Sequence, residues 1–553
     1  MLQVNGLKLK VGYTEQDLLS ECAKKMRARD GEIVSIEKLK ESIDARDKSN
    51  IVYVLNIAVE VKNSYKNFKH FENVSVDHTG LSYEKIACAK CPVVVGFGPS
   101  GMFCALTLAI MGLKPIVLEQ GKNVDERKVD VEKFWRTGVL DENSNVQFGE
   151  GGAGTFSDGK LNSNVSNDIC KKVINEFILA GAPKEIFYKS KPHIGSDNLV
   201  KVVKNIRNRI ETLGGQVLFQ HQFVDYEAKN NKVCKVIAKD LQSNKCVEFE
   251  TDILALGVGH SALKTFELLY NKGVNMQPKP FAMGVRIEHR QKDINFAQYG
   301  SFGDKLPAAD YKLVVHLDSG RSVFTFCMCP GGTVVASSAE KETVVTNGMS
   351  NFARNEENAN SALLVNVSPA DFYKGSALDG LYFQRFWENK AYVLGGGNYC
   401  APSQTVGEFL GLDQNDDAAR ENAANCEMIS CGENACHNGN TACENVDVTA
   451  TYKPNVKRAN LCECLPPFVY ESLKQALPEL NKKIKGFANK NAIMTAIESR
   501  SSCPVQIARD ATGQASVLGL YPIGEGAGYA GGIITSAQDG VKCAEQIAKN
   551  IEN

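Results

Sequence analysis

The sequence has no excess of either charge. Its 63 basic and 64 acidic residues almost cancel, so the chain as a whole shows no electrostatic bias toward nucleic acid or anionic lipid. The N-terminal sequence MLQVNGLKLKVGYTEQ also lacks an apolar segment behind a charged start, which argues against a secretory signal. We therefore expect a cytoplasmic protein with no membrane partner and no nucleic acid partner. The oligomeric state is not indicated.

The 18 cysteines do not suggest a disulfide framework. Without an export signal most of them should be reduced thiols. We interpret the close pairs as packing or incidental thiols; they are Cys88/Cys91, Cys327/Cys329 and Cys462/Cys464. A looser group next to His437 has the spacing C-x4-C-x4-C-x6-C, wider than the C-x2-C knuckles that bind zinc, and consists of Cys426, Cys431, Cys436 and Cys443. We predict no metal site.

One run of twenty uncharged residues, from Val93 to Gly112, is long enough to cross a bilayer. A membrane anchor or buried helix would leave its proline and glycines unexplained. We read it as a strand PVVVGF, a turn GFGPSG and a helix MFCALTLAIMG, followed by a strand that ends in Glu119. This G-x-G-x-x-G context predicts a dinucleotide site, with amides at the helix start on the phosphates and Glu119 on a ribose.

Two further glycine-rich segments are expected at the same site. The loop NVQFGEGGAGTFSDGKL, residues 145–161, has five glycines between Gly149 and Gly159 and can approach a flat ring or a phosphate closely. Near the C-terminus, GLYPIGEGAGYAGGI reads as a strand, an acidic turn with Glu525 and a helix start. Between them, GGQVLFQHQFVDYEAKNNKVCKVIAKD predicts strands, and DILALGVGHSALKTF predicts a strand entering a glycine turn, to which we assign His260.

These segments, with KPFAMGVRIEHRQ, CMCPGGTVVASS, VVTNGMS and NANSALLV, resemble a family of bacterial FAD-dependent dehydrogenases, or NAD(P)/FAD-dependent oxidoreductases, largely uncharacterised as to substrate. The resemblance covers most of the chain and is weakest near residues 414–464. It implies an α/β fold: a discontinuous, Rossmann-like FAD-binding domain of the glutathione reductase type, a mixed β-sheet substrate domain and a small N-terminal α+β domain.

The expected domain organisation follows the chain. It comprises an N-terminal α+β, ferredoxin-like domain (1–88), the first part of the FAD-binding domain (89–270), a substrate or cap domain (271–499) with a polar insertion near 414–452, and the C-terminal part of the FAD-binding domain (500–553). In the first domain, SIEKLKESIDARDK predicts a helix and NIVYVLNIAVEVKN a half-buried strand. In the substrate domain, FAMGVRIEHR, YKLVVHL and SVFTFCMC predict strands of a second sheet.

The candidate site residues fall into two groups. Those expected to bind FAD are Gly96, Gly98, Pro99, Ser100, Gly101, Glu119, Gln120, Arg127, Gly151, Gly152, Gly154, Thr155, Phe156, Ser157, Lys160, Val224, Gly257, Gly524, Glu525, Gly531, Gly532 and Ile533. Those considered for catalysis are Lys160, Asp158, His193, Arg286, Glu288, Glu498 and Arg500. Arg286 or Arg500 would bind a substrate carboxylate through two parallel hydrogen bonds. For each catalytic candidate, a structural salt bridge or hydrogen bond is the competing interpretation.

The expected activity is hydride transfer between flavin N5 and an unidentified small organic substrate. There is no second complete G-x-G-x-x-G unit, so a dedicated NAD(P)H domain is not expected, although NAD(P)H as a transient electron donor stays open. Three alternatives remain. They are a pyridine-nucleotide disulfide reductase, a flavin-dependent RNA-modifying or RNA-binding protein that uses basic residues such as Lys38, Lys40, Arg46 and Lys48, and a flavin-binding scaffold without turnover.

Overall fold

The structure, a computed structural model, describes residues 1–161, 167–412 and 448–552. The cysteine group from Cys426 to Cys443 and most of the polar insertion lie outside these ranges. Within them, no helix combines the length and the apolar composition needed to span a membrane.

The N-terminal region forms an antiparallel sheet of four strands with one helix packed against it. Its sheet order is β2-β3-β1-β4. Apolar residues of the helix, Leu18, Cys22 and Met26, are buried with the inner face of the sheet. The elements are β1 (Leu2–Lys10), α1 (Glu15–Met26), β2 (Ile33–Asp44), β3 (Val52–Val61), a 3-10 turn (Asn67–His70) and β4 (Glu72–Asn73).

The helix predicted for residues 35–48 is wrong, because this segment forms β2. It pairs with β3 from Ile33 to Asp44, with two register shifts. On this edge strand Lys40 is exposed to solvent, whereas Glu37, Lys38 and Glu41 are half-buried. The local sequence pattern suggested a helix, but the backbone pairing with β3 outweighs that local preference. The strand predicted from NIVYVLNIAVEVKN is present as β3.

The second region begins at the run of uncharged residues, which forms a strand, a turn and a helix as predicted. Its elements, with two 3-10 turns (Gly152–Phe156 and Lys184–Phe187), are β5 (Val93–Val95), α2 (Pro99–Ile110), β6 (Ile116–Glu119), α3 (Val124–Thr137), α4 (Asp168–Leu179), α5 (Ser196–Thr212), β7 (Gln216–Phe219), β8 (His221–Lys229), β9 (Lys232–Asp240), β10 (Lys245–Glu250), β11 (Leu254–Leu256) and α6 (Leu263–Asn271). Strands β8, β9 and β10 form a separate antiparallel sheet.

The third region is built on a mixed sheet of seven strands with the order β14-β15-β18-β13-β21-β19-β20. The three strands predicted for this sheet are present as β13, β14 and β15. The elements, with 3-10 turns at Gly300–Lys305 and Leu461–Glu463, are β12 (Met276–Pro278), β13 (Phe281–Arg290), α7 (Gln291–Tyr299), β14 (Val314–His316), β15 (Ser322–Cys329), β16 (Thr333–Ala336), β17 (Thr346–Met349), β18 (Asn358–Val367), α8 (Pro369–Phe372), α9 (Asp379–Leu394), β19 (Ala401–Thr405), α10 (Val406–Leu410), β20 (Val456–Arg458), α11 (Pro467–Lys483), β21 (Ile493–Glu498) and β22 (Val505–Ile507).

The last two elements, β23 (Leu520–Pro522) and α12 (Ile533–Glu552), complete the sheet of the second region. Its order is β23-β11-β5-β6-β7, and every neighbouring pair is parallel. The chain starts in the middle at β5, adds β6 and β7 on one side, and then β11 and β23 on the other. The strand order therefore reverses between β5 and β11. In parallel α/β sheets, ligands bind in the crevice at such a switch point, beyond the carboxyl ends of the strands.

The turn between β5 and α2 needs two of its glycines for packing. Gly96 has a φ of 88°, which favours glycine. A Cβ on Gly101 would overlap the carbonyl oxygen of Gly96. Gly98 differs, because its φ is −77° and a Cβ there would meet only the Cα of Gly152 at 3.7 Å. The fold alone therefore leaves room for a methyl group at position 98 but not at position 101.

We expect Gly101→Ala to lower the free energy of unfolding by roughly 1–3 kcal/mol, since the added methyl forces α2 away from the turn. Urea unfolding of the full chain measures this change. Gly98→Ala is the matched control and should stay within about 1 kcal/mol of the wild type, the cost of alanine at a helix N-cap. Equal losses for the two variants would contradict the packing described for this turn.

Candidate functional site

Three glycine-rich turns meet at the carboxyl ends of the parallel strands. The turn before α2 lies against the glycine loop of residues 145–161, because a Cβ on Gly152 would lie 2.9 Å from the Cα of Gly98. The same loop meets the start of α12, since a Cβ on Gly154 would lie 3.3 Å from Cγ1 of Ile533. The first turns of α2 and α12 thus border one loop, and helix N-termini present free amides and a partial positive charge.

The turns after β11 and β23 close on the start of α2 from the other side. A Cβ on Gly257 would lie 3.0 Å from Oγ of Ser100, and one on Gly524 would overlap that hydroxyl. The start of α2 and the turns after β11 and β23, although far apart in the sequence, are therefore in direct contact. Gly531 and Gly532 differ from these packed glycines, because a Cβ at either position would meet no atom within 4 Å. Space for a ligand is available there.

Glu119, at the end of β6, holds two of these turns together. Its Oε2 accepts a hydrogen bond from the amide of Phe97 at 2.8 Å. Its Oε1 accepts from the amides of Gly121 and Gly149 at 2.8 and 3.0 Å. A carboxylate has about four acceptor positions, so the three backbone bonds leave capacity for one further donor such as a ribose hydroxyl.

Arg127, predicted to bind the cofactor, is fully buried behind the glycine loop. Its Nε and Nη2 donate to the carbonyls of Asn145 and Val146 at 2.9 Å, and its Nη1 donates to the carbonyl of Glu150 at 2.6 Å. The guanidinium also lies 4.9 Å from the ring centre of Phe156. Burial lowers the pKa of Arg127 to about 10. Its contacts in this structure fix the shape of the loop.

Other predicted cofactor residues lie in or next to these turns, and Val224 lies in the separate sheet of β8–β10. Pro99 is the first residue of α2. Two hydroxyls of the glycine loop donate to backbone carbonyls of the same loop. Thr155 donates to the carbonyl of Glu150, and Ser157 donates to the carbonyl of Gly154. Gln120 directly follows β6, and Val224 lies within β8; both residues are half-buried.

A histidine–glutamate pair connects the ends of β11 and β23. Nδ1 of His260 lies 2.9 Å from Oε1 of Glu525. Nε2 of His260 is buried and has no hydrogen-bond partner among the described residues. His260 lies in the turn, as expected, but its contact with Glu525 was not predicted. The available signal was its position directly after a glycine turn at a strand end.

Three predicted catalytic residues come together at the end of the glycine loop. Asp158 and Lys160 belong to the loop, and His193 pairs with Lys160 through the backbone. Asp158 is only 2% exposed and accepts hydrogen bonds from Nε of Arg354 at 2.9 Å and from Oγ of Ser350 at 2.6 Å. Nζ of Lys160 lies 2.8 Å from the same carboxylate. Arg354 and Ser350 were missed by the sequence analysis, because they lie almost 200 residues further along the chain.

Asp158, Lys160 and Arg354 form an ionic cluster, and its electrostatics follow from its burial. Burial alone would raise the pKa of Asp158, but Lys160 and Arg354 lower it to about 2. Burial lowers the pKa of His193, and the charge of Arg354 lowers it further. His193 stacks on Phe352 with ring centres 5.1 Å apart, and its Nε2 lies 3.0 Å from the carbonyl oxygen of Phe352. The cluster thus contains an ionised aspartate between two cations.

A second buried ion pair joins β13 to β21. Nε and Nη2 of Arg286 donate to the two oxygens of Glu498 at 2.6 and 2.8 Å. The remaining donors go to the carbonyl of Cys327 and the side chains of Asn347 and Asn360. Arg286 is fully buried and its hydrogen bonds are satisfied within the protein. These contacts support the structural interpretation of Arg286 and Glu498.

The end of β15, with Cys327 and Cys329, lies between these two ionic groups. Lys160 donates to the carbonyl of Met328, and Arg286 donates to the carbonyl of Cys327. Cys327 is exposed and has a φ of 41°, next to a register shift in the pairing of β15 with β18. Cys329 is buried, and its sulfur contacts the carbonyl of Cys327. The pair is thus closer to the candidate site than the sequence suggested.

The other two catalytic candidates bond elsewhere. Glu288 is buried and accepts from Oγ1 of Thr451 at 2.6 Å and from Nδ2 of Asn358 at 3.1 Å. Arg500 donates to both oxygens of Glu388, at 2.9 and 2.8 Å, which joins α9 to the end of β21. Both residues therefore have the contacts of structural groups.

The thiols outside the end of β15 show no arrangement of metal ligands. All cysteines of the described ranges are free, with Cys88, Cys91 and Cys462 exposed and Cys464 buried. In the same ranges, no group of three or more His, Cys, Asp or Glu side chains is arranged to hold a metal ion.

A parallel sheet with glycine turns at its switch point is typical of nucleotide-binding α/β proteins. A family model described as "FAD-dependent protein, C-terminal domain-like" matches residues 280–436 and 434–501, and one described as a domain of unknown function matches residues 1–60. A Clostridium beijerinckii protein described as uncharacterized is 42% identical over 563 residues, covering 100% of this chain and 99% of its own length. The chain belongs to the family of that protein, and its third region matches the model of FAD-dependent proteins.

Solved structures are more distant. A triple mutant of the flavin-dependent brominase Bmp2 has a TM-score of 0.38 and 12% identity, over 84% of this chain and 81% of its own. The E. coli quinol fumarate reductase FrdA has a TM-score of 0.35 and 10% identity, over 84% and 70%. At these scores the likeness carries no argument about the reaction.

We expect Asp158→Asn to lower the free energy of unfolding at pH 7 by roughly 3 kcal/mol, since it leaves two cations without their counter-charge. The pairing lowers the pKa of Asp158 from 3.8 to about 2. Its stabilisation is therefore complete well above pH 4 and is lost as the pH falls toward 2.

The difference between wild type and Asp158→Asn should accordingly shrink by about 1 kcal/mol between pH 7 and pH 3. Urea unfolding at both pH values measures it. Asp310→Asn, which breaks the more exposed pair with Lys191, is the control and should cost less than about 1 kcal/mol at pH 7. If the free energies of unfolding of wild type and Asp158→Asn differed by the same amount at both pH values, the assigned ionisation of Asp158 would be contradicted.

Proposed function

We propose that the chain transfers a hydride between FAD and a small organic substrate, and that its second region is an FAD-binding domain of the glutathione reductase type. The observation that carries the proposal is the meeting of three glycine-rich turns at the switch point of the parallel sheet. The sheet is interrupted in sequence by the antiparallel strands β8–β10 and by the third region, and it is completed by β23. This agrees with a discontinuous cofactor domain.

The residues at the switch point fit a flavin dinucleotide. The fold does not require glycine at position 98, so a ligand that approaches the backbone closely accounts for it. Gly531 and Gly532 border free space at the start of α12, and the buried Nε2 of His260 lacks a partner among the described residues. Bound FAD would supply a two-electron carrier at this place.

We assign the binding roles by position. The amides at the start of α2 would hold the pyrophosphate, and the remaining acceptor capacity of Glu119 would take a ribose hydroxyl. Glu525, at the end of β23, would bind the ribityl chain. The N-terminus of α12 would lie beside the flavin ring, where its partial positive charge favours negative charge on the ring.

On the substrate side, Lys160 is the group of the ionic cluster best placed to reach a ligand. Its side chain is 25% exposed, whereas those of Asp158 and Arg354 are 2% and 13% exposed. Two cations against one carboxylate leave a positive excess that favours an anionic substrate. We propose that Lys160 orients such a substrate, or donates a proton to it, while Asp158 and Arg354 hold Lys160 in place.

A disulfide reductase is the second candidate, because Cys327 is exposed near the end of β15, where the carbonyl of the next residue accepts a hydrogen bond from Lys160. NAD(P)H would then serve as a transient electron donor at the flavin. Against an RNA-binding function, three of the four basic residues considered for it have intramolecular partners. Lys38 contacts Glu41 and Tyr13, Arg46 contacts Asp44, and Lys48 donates to the carbonyl of Ala297. We therefore propose no nucleic acid partner.

The purified protein, with FAD added where needed, should show the visible absorption bands of a bound flavin. Anaerobic addition of NADH, NADPH or candidate metabolites, anionic ones first, should bleach those bands, and reoxidation by a disulfide would favour the second candidate. A spectrum without flavin bands after addition of FAD would refute the proposed function. Stoichiometric flavin that no donor bleaches would favour a scaffold without turnover.

Gly98→Ala should weaken FAD binding at least about tenfold, because the methyl group occupies the place where the pyrophosphate meets the backbone. Titration of the apoprotein, followed by quenching of flavin fluorescence, measures the dissociation constant. The unfolding midpoint of apo Gly98→Ala, expected to match the wild type, shows that the effect is local. Unchanged affinity in a folded variant would contradict pyrophosphate binding at this turn.

A further inference from the structure

The pair His260–Glu525 lies where the proposed ribityl site is expected. His260 follows β11 and Glu525 follows β23, and these are neighbouring parallel strands. Their side chains therefore emerge at the carboxyl edge of the sheet, on the β11 side of the switch point. Nδ1 of His260 and Oε1 of Glu525 are 2.9 Å apart, with 11% of the histidine side chain and 25% of the glutamate side chain exposed.

The backbone around His260 is fixed. The carbonyl of the preceding Gly259 packs so closely on Gly526 that a Cβ on Gly526 would overlap it. The following residue, Ser261, donates from Oγ to Oε1 of Gln147 at 3.3 Å, which joins the turn to the glycine loop. His260 is thus held between two of the three turns that form the candidate cofactor site.

The other ring nitrogen has no partner. Nε2 of His260 is buried and lacks a hydrogen bond within the described residues, and leaving a buried polar atom unpaired costs about 1–3 kcal/mol. In the neutral form of this imidazole, Nδ1 carries the proton, because the carboxylate of Glu525 only accepts hydrogen bonds. Nε2 is then an acceptor and requires a donor such as a hydroxyl. A phosphate, which only accepts, would not satisfy it.

We infer that His260 is a further cofactor-binding residue, whose Nε2 accepts a hydrogen bond from a hydroxyl of the ribityl chain while its Nδ1 positions Glu525. This inference rests on the proposed function, since it presupposes bound FAD. It assigns the polyol, rather than the pyrophosphate, to the end of β11.

The variant His260→Asn tests it directly. The asparagine amide nitrogen takes the place of Nδ1 and keeps a donor toward Glu525, but no atom replaces Nε2. The dissociation constants of FAD and of ADP, which lacks the ribityl chain and the flavin ring, are measured for the apoprotein by fluorescence quenching and by competition. We expect about tenfold weaker FAD binding, as from the loss of one hydrogen bond, and unchanged ADP binding. The exposed His316, bonded to Ser322, provides the control variant His316→Asn with both affinities unchanged.

The outcomes separate the assignments. Equal loss of FAD and ADP affinity would overturn the ribityl contact, because His260 would then support the adenosine diphosphate half. Unchanged FAD affinity in a variant with the wild-type unfolding midpoint would overturn it as well. If the wild type itself binds no FAD, the proposed function fails first, and the inference fails with it.

Discussion

The close approach of backbone to backbone between the turn at Gly98 and the turn at Gly152 determines the rest of the site. It requires glycine at position 152, since a Cβ there would lie 2.9 Å from the Cα of Gly98. It brings the start of α2 to the glycine loop, and the same loop carries Asp158 and Lys160 toward the third region. The contact between these two glycines therefore positions both the proposed FAD-binding turns and the segment of Asp158 and Lys160.

Buried charges hold this arrangement in place, each through several partners. Arg127 fixes the glycine loop from behind through three carbonyls. Asp158 ties the loop to Arg354 and Ser350 in the third region. Breaking one partner of such a pair leaves a charge without compensation, which costs more than the pair contributes when intact. The two regions are thus connected by polar contacts at the place where we propose that substrate meets cofactor.

The sequence predicted what depends on local pattern. The strand, turn and helix around Gly96 to Gly101, and strands such as β3, β13 and β15, follow from periodicity and glycine spacing. The helix expected at residues 35–48 failed because β2 forms through pairing with β3, a non-local interaction. Arg354 and Ser350 reach Asp158 only through tertiary packing. The contact of His260 with Glu525 requires β11 and β23 to be neighbours, although their first residues, Leu254 and Leu520, are 266 positions apart. The position of His260 after a glycine turn at a strand end marks it as a candidate, but no local pattern identifies its partner.

Hydrogen exchange of the backbone amides, compared with and without FAD, tests most directly whether the three turns form one site. The account predicts that FAD slows exchange together in residues 96–101, 149–157 and 524–533, at the same FAD concentration. Protection of only one of these segments, or of none, would contradict a single dinucleotide site at the switch point.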